Sequence, residues 1–405
     1  FLALGWIGAS MVPIPPTLRP QDRDEVLRKY GIRALLTSRL EVVPPGCRLV
    51  QLEGVGARGD ENMDEAGAPP AEGSTPLRLA LTSGTTGTPK GVLQTHASFE
   101  ERVDRMHCDV VDRPVVLPPA LHITIAVNLA VHALCKGGTV VFPKSYANED
   151  FFDAIRNHGV THVALPPANL NLMLPALPAI GPAFPGVRHL RLVGSTPTRV
   201  VLEAARRQFS PHVYVPYGLA EVGVVAMATP QMLFEDPTAV GAPEPGVRLE
   251  LVADGEIRVI VPPMPEDYFG PDAGQRTRFR DGWFYPGDRG HFEDGRLHID
   301  GRVDHIINAG GRKVSPEYVE SVLMEYPGVR EAAVFPVTDA AGDTRLGVVI
   351  VPSGALDWKA LRDYANQRLH VTAPVRYSEV ASLPRNTMGK LEREALTRLP
   401  AEARD

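Results

Sequence analysis

Leu81-Thr82-Ser83-Gly84-Thr85-Thr86-Gly87-Thr88-Pro89-Lys90-Gly91 is the stretch on which the reading of this chain turns. Hydroxyl side chains and glycines alternate, and a single lysine closes the run. Glycines let backbone N–H groups come close to a ligand. Successive N–H groups, hydroxyls and one cation together form an anion site suited to phosphates. The spacing is not the Walker pattern, because Pro89 precedes Lys90 and no Gly-Lys-Ser/Thr follows Gly84 at the required distance. It is not GxGxxG either. Taken alone, the stretch also reads as a glycine- and threonine-rich surface turn, so the rest of the chain must decide.

Downstream of it, strand and helix patterns alternate. Thr139–Phe142 is a short β-branched run, 149–158 reads as a helix stopped by Gly159, and 161–165 as a strand. Leu190–Val193 precedes a predicted helix over 198–209 with Val201, Leu202, Ala205 and Phe209 on one face, and 213–215 follows as a strand. This order predicts a mostly parallel sheet with crossover helices. Ligands of such sheets sit at the carboxyl ends of the strands, where Gly194 and Tyr217 fall. Upstream, 48–76 is rich in Gly, Glu, Ala and Pro and reads as an exposed linker. From about 240 to 303 the pattern changes to short strands over 248–252, 256–261 and 296–300, with Asp254-Gly255 and Asp294-Gly295 as turn signals. Ser315-Pro316 opens a helix whose Val319, Val322, Leu323 and Tyr326 form one buried face. Strands over 332–337 and 347–351 and a helix over 358–369 complete a small α+β unit. The predicted architecture is α/β: a large N-terminal body over 1–303, comprising a parallel α/β sheet and a small β-rich part at 240–303, followed by a small mobile α+β domain over 304–405.

Composition narrows the function. The chain has 405 residues, 44% hydrophobic and 22% charged, ordinary for a globular protein with two or three domains. The net charge of −6, from 42 basic and 48 acidic residues, leaves no basic footprint for nucleic acid. Cys47, Cys108 and Cys135 form no CxxC pair and no metal spacing. A sparse, odd set fits a reducing cytoplasmic location better than a disulfide scaffold. No apolar run is long enough to predict a membrane span.

Four further segments stand in a fixed order after the glycine-rich loop: Tyr217-Gly218-Leu219-Ala220-Glu221, Gly282-Trp283-Phe284-Tyr285-Pro286-Gly287-Asp288, Gly301-Arg302-Val303-Asp304-His305 with Gly310 to Pro316, and Pro384-Arg385-Asn386-Thr387-Met388-Gly389-Lys390. With the loop, they resemble the five motifs of the adenylate-forming enzymes, which include acyl- and aryl-CoA synthetases, luciferases and peptide-synthetase adenylation domains. The resemblance covers nearly the whole chain and is nearest to stand-alone acyl- or aryl-CoA ligases. Residues 1–16 look like a segment that family members carry well inside the N-terminal domain, so the first portion of the usual fold is expected to be absent here.

The resemblance implies an AMP-forming acid–thiol ligase. ATP and a carboxylate would give an acyl-adenylate and pyrophosphate, and the acyl group would pass to coenzyme A, with Mg²⁺ as the metal. The alternatives are transfer to the phosphopantetheine of a carrier protein, to an amine or to an unusual nucleophile, and a degenerate module that only binds nucleotide. Thr82, Ser83, Gly84, Thr85, Thr86, Gly87 and Lys90 would hold the β- and γ-phosphates. Glu221 would ligate Mg²⁺. Tyr217 and Gly218, with Gly194, Ser195 and Thr196 opposite, would bracket the adenine. Asp288 would accept from the ribose hydroxyls, Arg302 would sit near ribose and phosphate, Asp304 would be the hinge, and Lys390 would compensate charge during adenylation. Ala220 and Pro286 stand where family members usually carry threonine. His122 would gate an acyl pocket walled by Val127, Val193, Leu219 and Val222. No aspartate follows the His122 region, so the expected acid is aryl or short to medium acyl rather than an amino acid.

Overall fold

The computed structural model describes all residues except 17, 39–40, 53–70, 83–88, 107–112, 275–277, 340, 370, 386–390, 400–401 and 405. Its central feature is a seven-stranded sheet in the order Ala242–Pro243, Gly223–Ala228, Val213–Leu219, His189–Leu192, His162–Leu165, Val115–Leu117, Thr139–Val140. The last five of these strands pair in parallel and the first two add on antiparallel. Crossover helices are recognisable from local chemistry. Asn148–His158 buries Phe151, Phe152, Ala154 and Ile155 on one stripe and ends on Gly159, whose φ of 60° supplies the left-handed cap. The predicted helix over 198–209 is present, capped by Thr198, but its last five residues wind as a π-turn. Val201, Leu202, Ala205 and Phe209 are all buried and join the largest core cluster.

The strands on either side of the glycine-rich stretch in sequence, Pro76–Thr82 and Lys90–Thr95, pair antiparallel, Thr82 opposite Lys90. Both motif residues therefore sit side by side at the ends of these strands. The second strand runs directly into the helix His96–Asp104. A capping box starts it: Ser98 N donates to Thr95 Oγ1 at 3.2 Å, and Thr95 N to Ser98 Oγ at 2.9 Å.

Two differences from the sequence expectation have local causes. Arg48–Gln51 is a strand parallel to Ala34–Thr37, not linker; four residues are too few for a period to show. The strand begun at Val213 continues through Leu219 and folds back antiparallel. Tyr217 is thus inside a strand, and Ala220 to Val222 form the tip of a hairpin.

The region 248–302 contains a four-stranded sheet and the hairpin Asp288–Glu293 with Arg296–Arg302. Asp294 and Gly295, at φ 47° and 76°, make its two-residue turn as expected. After Asp304, the helix Pro316–Met324 starts on Ser315, whose Oγ accepts from Tyr318 N at 3.3 Å. It packs on the strands Val329–Thr338 and Thr344–Pro352, with Val319 and Leu323 fully buried and Val322 and Tyr326 partly so. Its first turn abuts the hairpin: a Cβ at Gly301 (φ +131°) would lie 2.2 Å from Ser315 Oγ.

Candidate active site

Lys90 and Glu221, 131 positions apart in sequence, converge on one buried ring. Lys90 Nζ lies 4.9 Å from the centroid of Tyr268, and the Tyr268 hydroxyl donates to Glu221 Oε1 at 3.1 Å. Glu221 is itself buried. Its segment is fixed from below by Arg102, on the helix that follows the Lys90 strand. Arg102 Nη1 donates to the Ala220 carbonyl at 2.9 Å, and Nη2 to the Glu221 carbonyl. Burial lowers the Arg102 pKa to about 10 against the pull of Glu221, so the guanidinium stays charged at neutral pH. Ala220 is thus held through its backbone carbonyl. The Tyr268 hydrogen bond falls on Glu221 Oε1, and a hard carboxylate oxygen fits Mg²⁺.

The other side of the loop is anchored by residues that no sequence pattern marks. Lys29 Nζ donates to the Pro89 carbonyl at 3.0 Å and pairs with Asp272 Oδ1 at 2.8 Å. The Tyr30 hydroxyl lies 2.7 Å from Asp272 Oδ2, and Gly91 N reaches the same oxygen at 3.4 Å. Burial raises the Asp272 pKa, but these donors outweigh it and the carboxyl is held below its ordinary value.

A second array lies along the hairpin. The Tyr217 hydroxyl donates to Asp288 Oδ2 at 2.7 Å, and Arg302 Nη1 reaches Asp288 Oδ1 at 3.2 Å. Arg302 also forks onto Asp304, Nε to Oδ1 at 2.9 Å and Nη2 to Oδ2 at 3.1 Å, and Arg278 Nη2 meets the same Oδ2 at 3.1 Å. Burial raises the Asp288 pKa above its ordinary value, only partly opposed by Arg302 and Tyr217. Asp304 is held low: burial pushes it up, but the Arg302 fork prevails. Asp304 lies in a 3₁₀ turn over Val303–His305, directly before the C-terminal unit. Gly287, at φ +76°, leaves room for Arg278, since a Cβ there would sit 2.0 Å from Arg278 Nη1.

Of the other expected site residues, Gly194 adopts φ +91° just past the strand His189–Leu192, and Ser195 and Thr196 are exposed there. Gly218 is exposed beside Tyr217. Ser83, Gly84, Thr85, Thr86, Gly87 and Lys390 lie outside the described residues, as does Cys108. His122 offers its carbonyl to Arg78 Nη2 at 3.2 Å. Burial, then the Arg78 charge, lowers its pKa, and its buried Nε2 has no hydrogen-bond partner among the described residues. The four apolar residues expected around the acyl group fall in three core clusters: Val127 with Leu77 and Phe99, Val193 with Leu129 and Ala164, Leu219 and Val222 with Val225 and Ile257. Sequence reasoning missed Arg102, Tyr268, Arg278, Lys29, Tyr30 and Asp272. The charged ones read as solvated side chains, and only the fold shows which of them are buried.

The family profile of the AMP-binding enzymes matches residues 1–264, and that of the AMP-binding enzyme C-terminal domain matches residues 318–390. The fatty acid–[acyl-carrier-protein] ligase ScoC of Streptomyces coeruleorubidus is 30% identical over 430 residues, covering 96% of this chain and 82% of that protein. The sulfoacetate–CoA ligase of Cupriavidus necator is 31% identical, over 80% of this chain and 67% of that protein. Among solved structures, o-succinylbenzoate CoA synthetase of Bacillus subtilis with its acyl-adenylate intermediate superposes with a TM-score of 0.83 at 25% identity, over 98% of this chain and 85% of that one. A chain so matched belongs to the AMP-binding enzymes. It is an AMP-forming acid–thiol ligase, which activates a carboxylate with ATP. Among the described residues, no helix is long and apolar enough to cross a membrane.

Proposed function

We propose that this chain activates an aryl or short to medium acyl carboxylate and delivers it to coenzyme A, with the residues singled out above as its machinery. The convergence of Lys90 and Glu221 on Tyr268 carries the reading. A carboxylate is a poor acyl donor because its oxygen is a poor leaving group; attack on the α-phosphate of ATP turns it into a mixed anhydride from which AMP departs readily. The protein must hold three negatively charged groups together and align them. Lys90, at the mouth of the loop, neutralises phosphate charge. Glu221 holds Mg²⁺, which when bound screens the phosphates. Asp288 and Tyr217 orient the nucleoside, and Arg302 balances Asp288. Lys390 approaches the carboxylate during adenylation. Swinging of the unit after Asp304 then removes it and admits the thiol. The low pKa of His122 keeps its imidazole neutral beside the acyl group, which suits a gate rather than a cation.

A carrier-protein thiol as acceptor is the second reading, favoured by the 30% identity with an acyl-carrier-protein ligase over almost the whole chain. Pyrophosphate release across a panel of aryl, short and medium acids, followed by thioester formation with coenzyme A or carrier protein, tests both. Turnover of amino acids or of long-chain acids alone would overturn the acid assignment. Transfer to carrier protein but not to coenzyme A would replace the first acceptor by the second.

A further inference from the structure

The hairpin that presents Asp288 carries a second cluster along its length. His291 and His298 are direct cross-strand partners, and Glu293 lies two residues beyond His291 on the same face. One ligand-capable atom from each of the three lies within 4.8 Å of the others. The two imidazoles stack nearly parallel, with centroids 4.8 Å apart and planes at 14°.

Their neighbours set which nitrogens are free. His291 Nδ1 is 2.9 Å from Asp300 Oδ1. A carboxylate only accepts, so the proton belongs on Nδ1 and the Nε2 lone pair is open. The Thr238 hydroxyl donates to Asp236 Oδ1 at 2.7 Å, and its oxygen lies 3.3 Å from His298 Nδ1. With the hydroxyl proton directed to Asp236, the Thr238 oxygen can accept from His298 Nδ1. His298 is 6% exposed. Among the described residues its Nε2 makes no hydrogen bond of good geometry, though it faces Asp236 Oδ2 at 3.1 Å. An Nε2 lone pair facing the Asp236 carboxylate is repelled by it, and a cation seated beside both would relieve that repulsion. Histidine ligands of metals typically hold their other ring nitrogen against an oxygen in this way.

We propose that His291 Nε2, His298 Nε2 and the Glu293 carboxylate form a binding site for a borderline divalent transition-metal ion of the Zn²⁺ class. Two imidazoles and one carboxylate suit such an ion, while Mg²⁺ prefers all-oxygen sites. The fourth position faces solvent, since His291 and Glu293 are exposed. Asp236 and Asp300 add negative charge around it. The ion would cross-brace the two strands whose paired residues Asp288 and Arg302 serve the nucleotide.

Calorimetric titration of the metal-free full chain with Zn²⁺, in excess Mg²⁺ and without nucleotide, tests this. One ion per chain is expected. Because His291 and Asp300 are exposed, their replacements leave the fold intact. His291→Ala should weaken binding by more than about tenfold, and Asp300→Ala, which releases the ring but keeps every ligand, by about 10- to 100-fold. Absence of saturable uptake by the natural chain, or unchanged titration in both variants, would overturn the proposal.

Discussion

Asp288 and Arg302 face each other as a cross-strand pair of one hairpin, with Arg302 Nη1 3.2 Å from Asp288 Oδ1. Arg302 is at the same time held by both oxygens of Asp304. The side chain expected to contact nucleotide is thereby linked, through one guanidinium, to the residue expected to act as hinge. Tyr217 and Arg302 already position the Asp288 carboxylate, so under the proposed role little ordering would remain to be done when a nucleotide hydroxyl binds.

Asp288→Asn should raise KM for ATP by about tenfold or more, through loss of charged hydrogen bonds. In the natural chain, kcat/KM for ATP should fall on acidification at a pH above the ordinary carboxylate range, because burial raises the Asp288 pKa. The variant should lack that limb. The sign for stability is opposite. A carboxyl with a raised folded-state pKa binds its proton more tightly when folded, so its contribution is present at low pH and is lost as pH rises through that pKa. Asp288→Asn should therefore unfold no more easily than the natural chain at pH 7. A lowered melting temperature with unchanged KM would contradict both points.

Tyr268→Phe keeps the ring under Lys90 and removes the hydroxyl from Glu221. It should raise the Mg²⁺ concentration needed for half-maximal pyrophosphate release by about five- to thirtyfold, the equivalent of about 1–2 kcal/mol, with turnover recovered at high Mg²⁺. Glu221→Gln should shift the Mg²⁺ requirement further in the same direction. Tyr268→Leu also takes away the ring, and turnover should then stay low even in excess Mg²⁺. Identical Mg²⁺ curves for Tyr268→Phe and the natural chain would show that the hydroxyl does not serve the metal ligand.

Lys390→Ala and Asp304→Pro should fail at different half-reactions. Lysine compensates charge only while carboxylate attacks phosphate, so its loss should slow adenylation by about a hundred- to thousandfold. Thioester formation from synthetic acyl-adenylate should stay near normal. Proline fixes φ at the turn, so Asp304→Pro should still release pyrophosphate but fail to transfer. Asp304→Asn, which loosens the grip on Arg302 without fixing the backbone, should keep both steps at reduced rate. Equal loss of both half-reactions in Lys390→Ala would refute domain alternation.

Glu317 joins the first turn of the helix Pro316–Met324 to two bases, His305 Nδ1 at 2.7 Å and Arg393 Nη2 at 3.0 Å. Burial pushes its carboxyl up, but the His305 hydrogen bond and the Arg393 charge outweigh this and hold it at about 2, against an ordinary 4.5. With the folded pKa depressed, the stability it contributes is full above pH 4.5 and is lost as pH falls toward 2. Glu317→Gln should cost about 2 kcal/mol in urea unfolding at pH 7, and the difference from the natural chain should shrink steadily below pH 4.5. A cost independent of pH would point to packing rather than charge.

The sequence by itself determined the class of fold and the chemistry. Helix stripes such as Phe151, Phe152 and Ile155, the cap at Gly159 and the turn at Asp294-Gly295 are local, because periodicity and left-handed φ are properties of short segments. The five ordered motifs pointed to Lys90, Glu221, Tyr217, Asp288 and Arg302, and the fold joins the first two through Tyr268 and the last three directly. What only the tertiary structure decided is which side chains far apart in sequence become buried neighbours. Arg102 looks like any helical arginine until the fold places it under Ala220 and Glu221. Lys29, Tyr30 and Asp272 meet only because a strand pair carries Pro89 to Gly91 between them. The same limit governs the acyl residues: hydrophobicity says that Val127, Val193, Leu219 and Val222 are inside, but not that they belong to three different clusters. Burial is a free energy that any apolar surroundings satisfy, whereas a hydrogen bond or an ion pair needs one particular partner, and that partner exists only once the chain has folded.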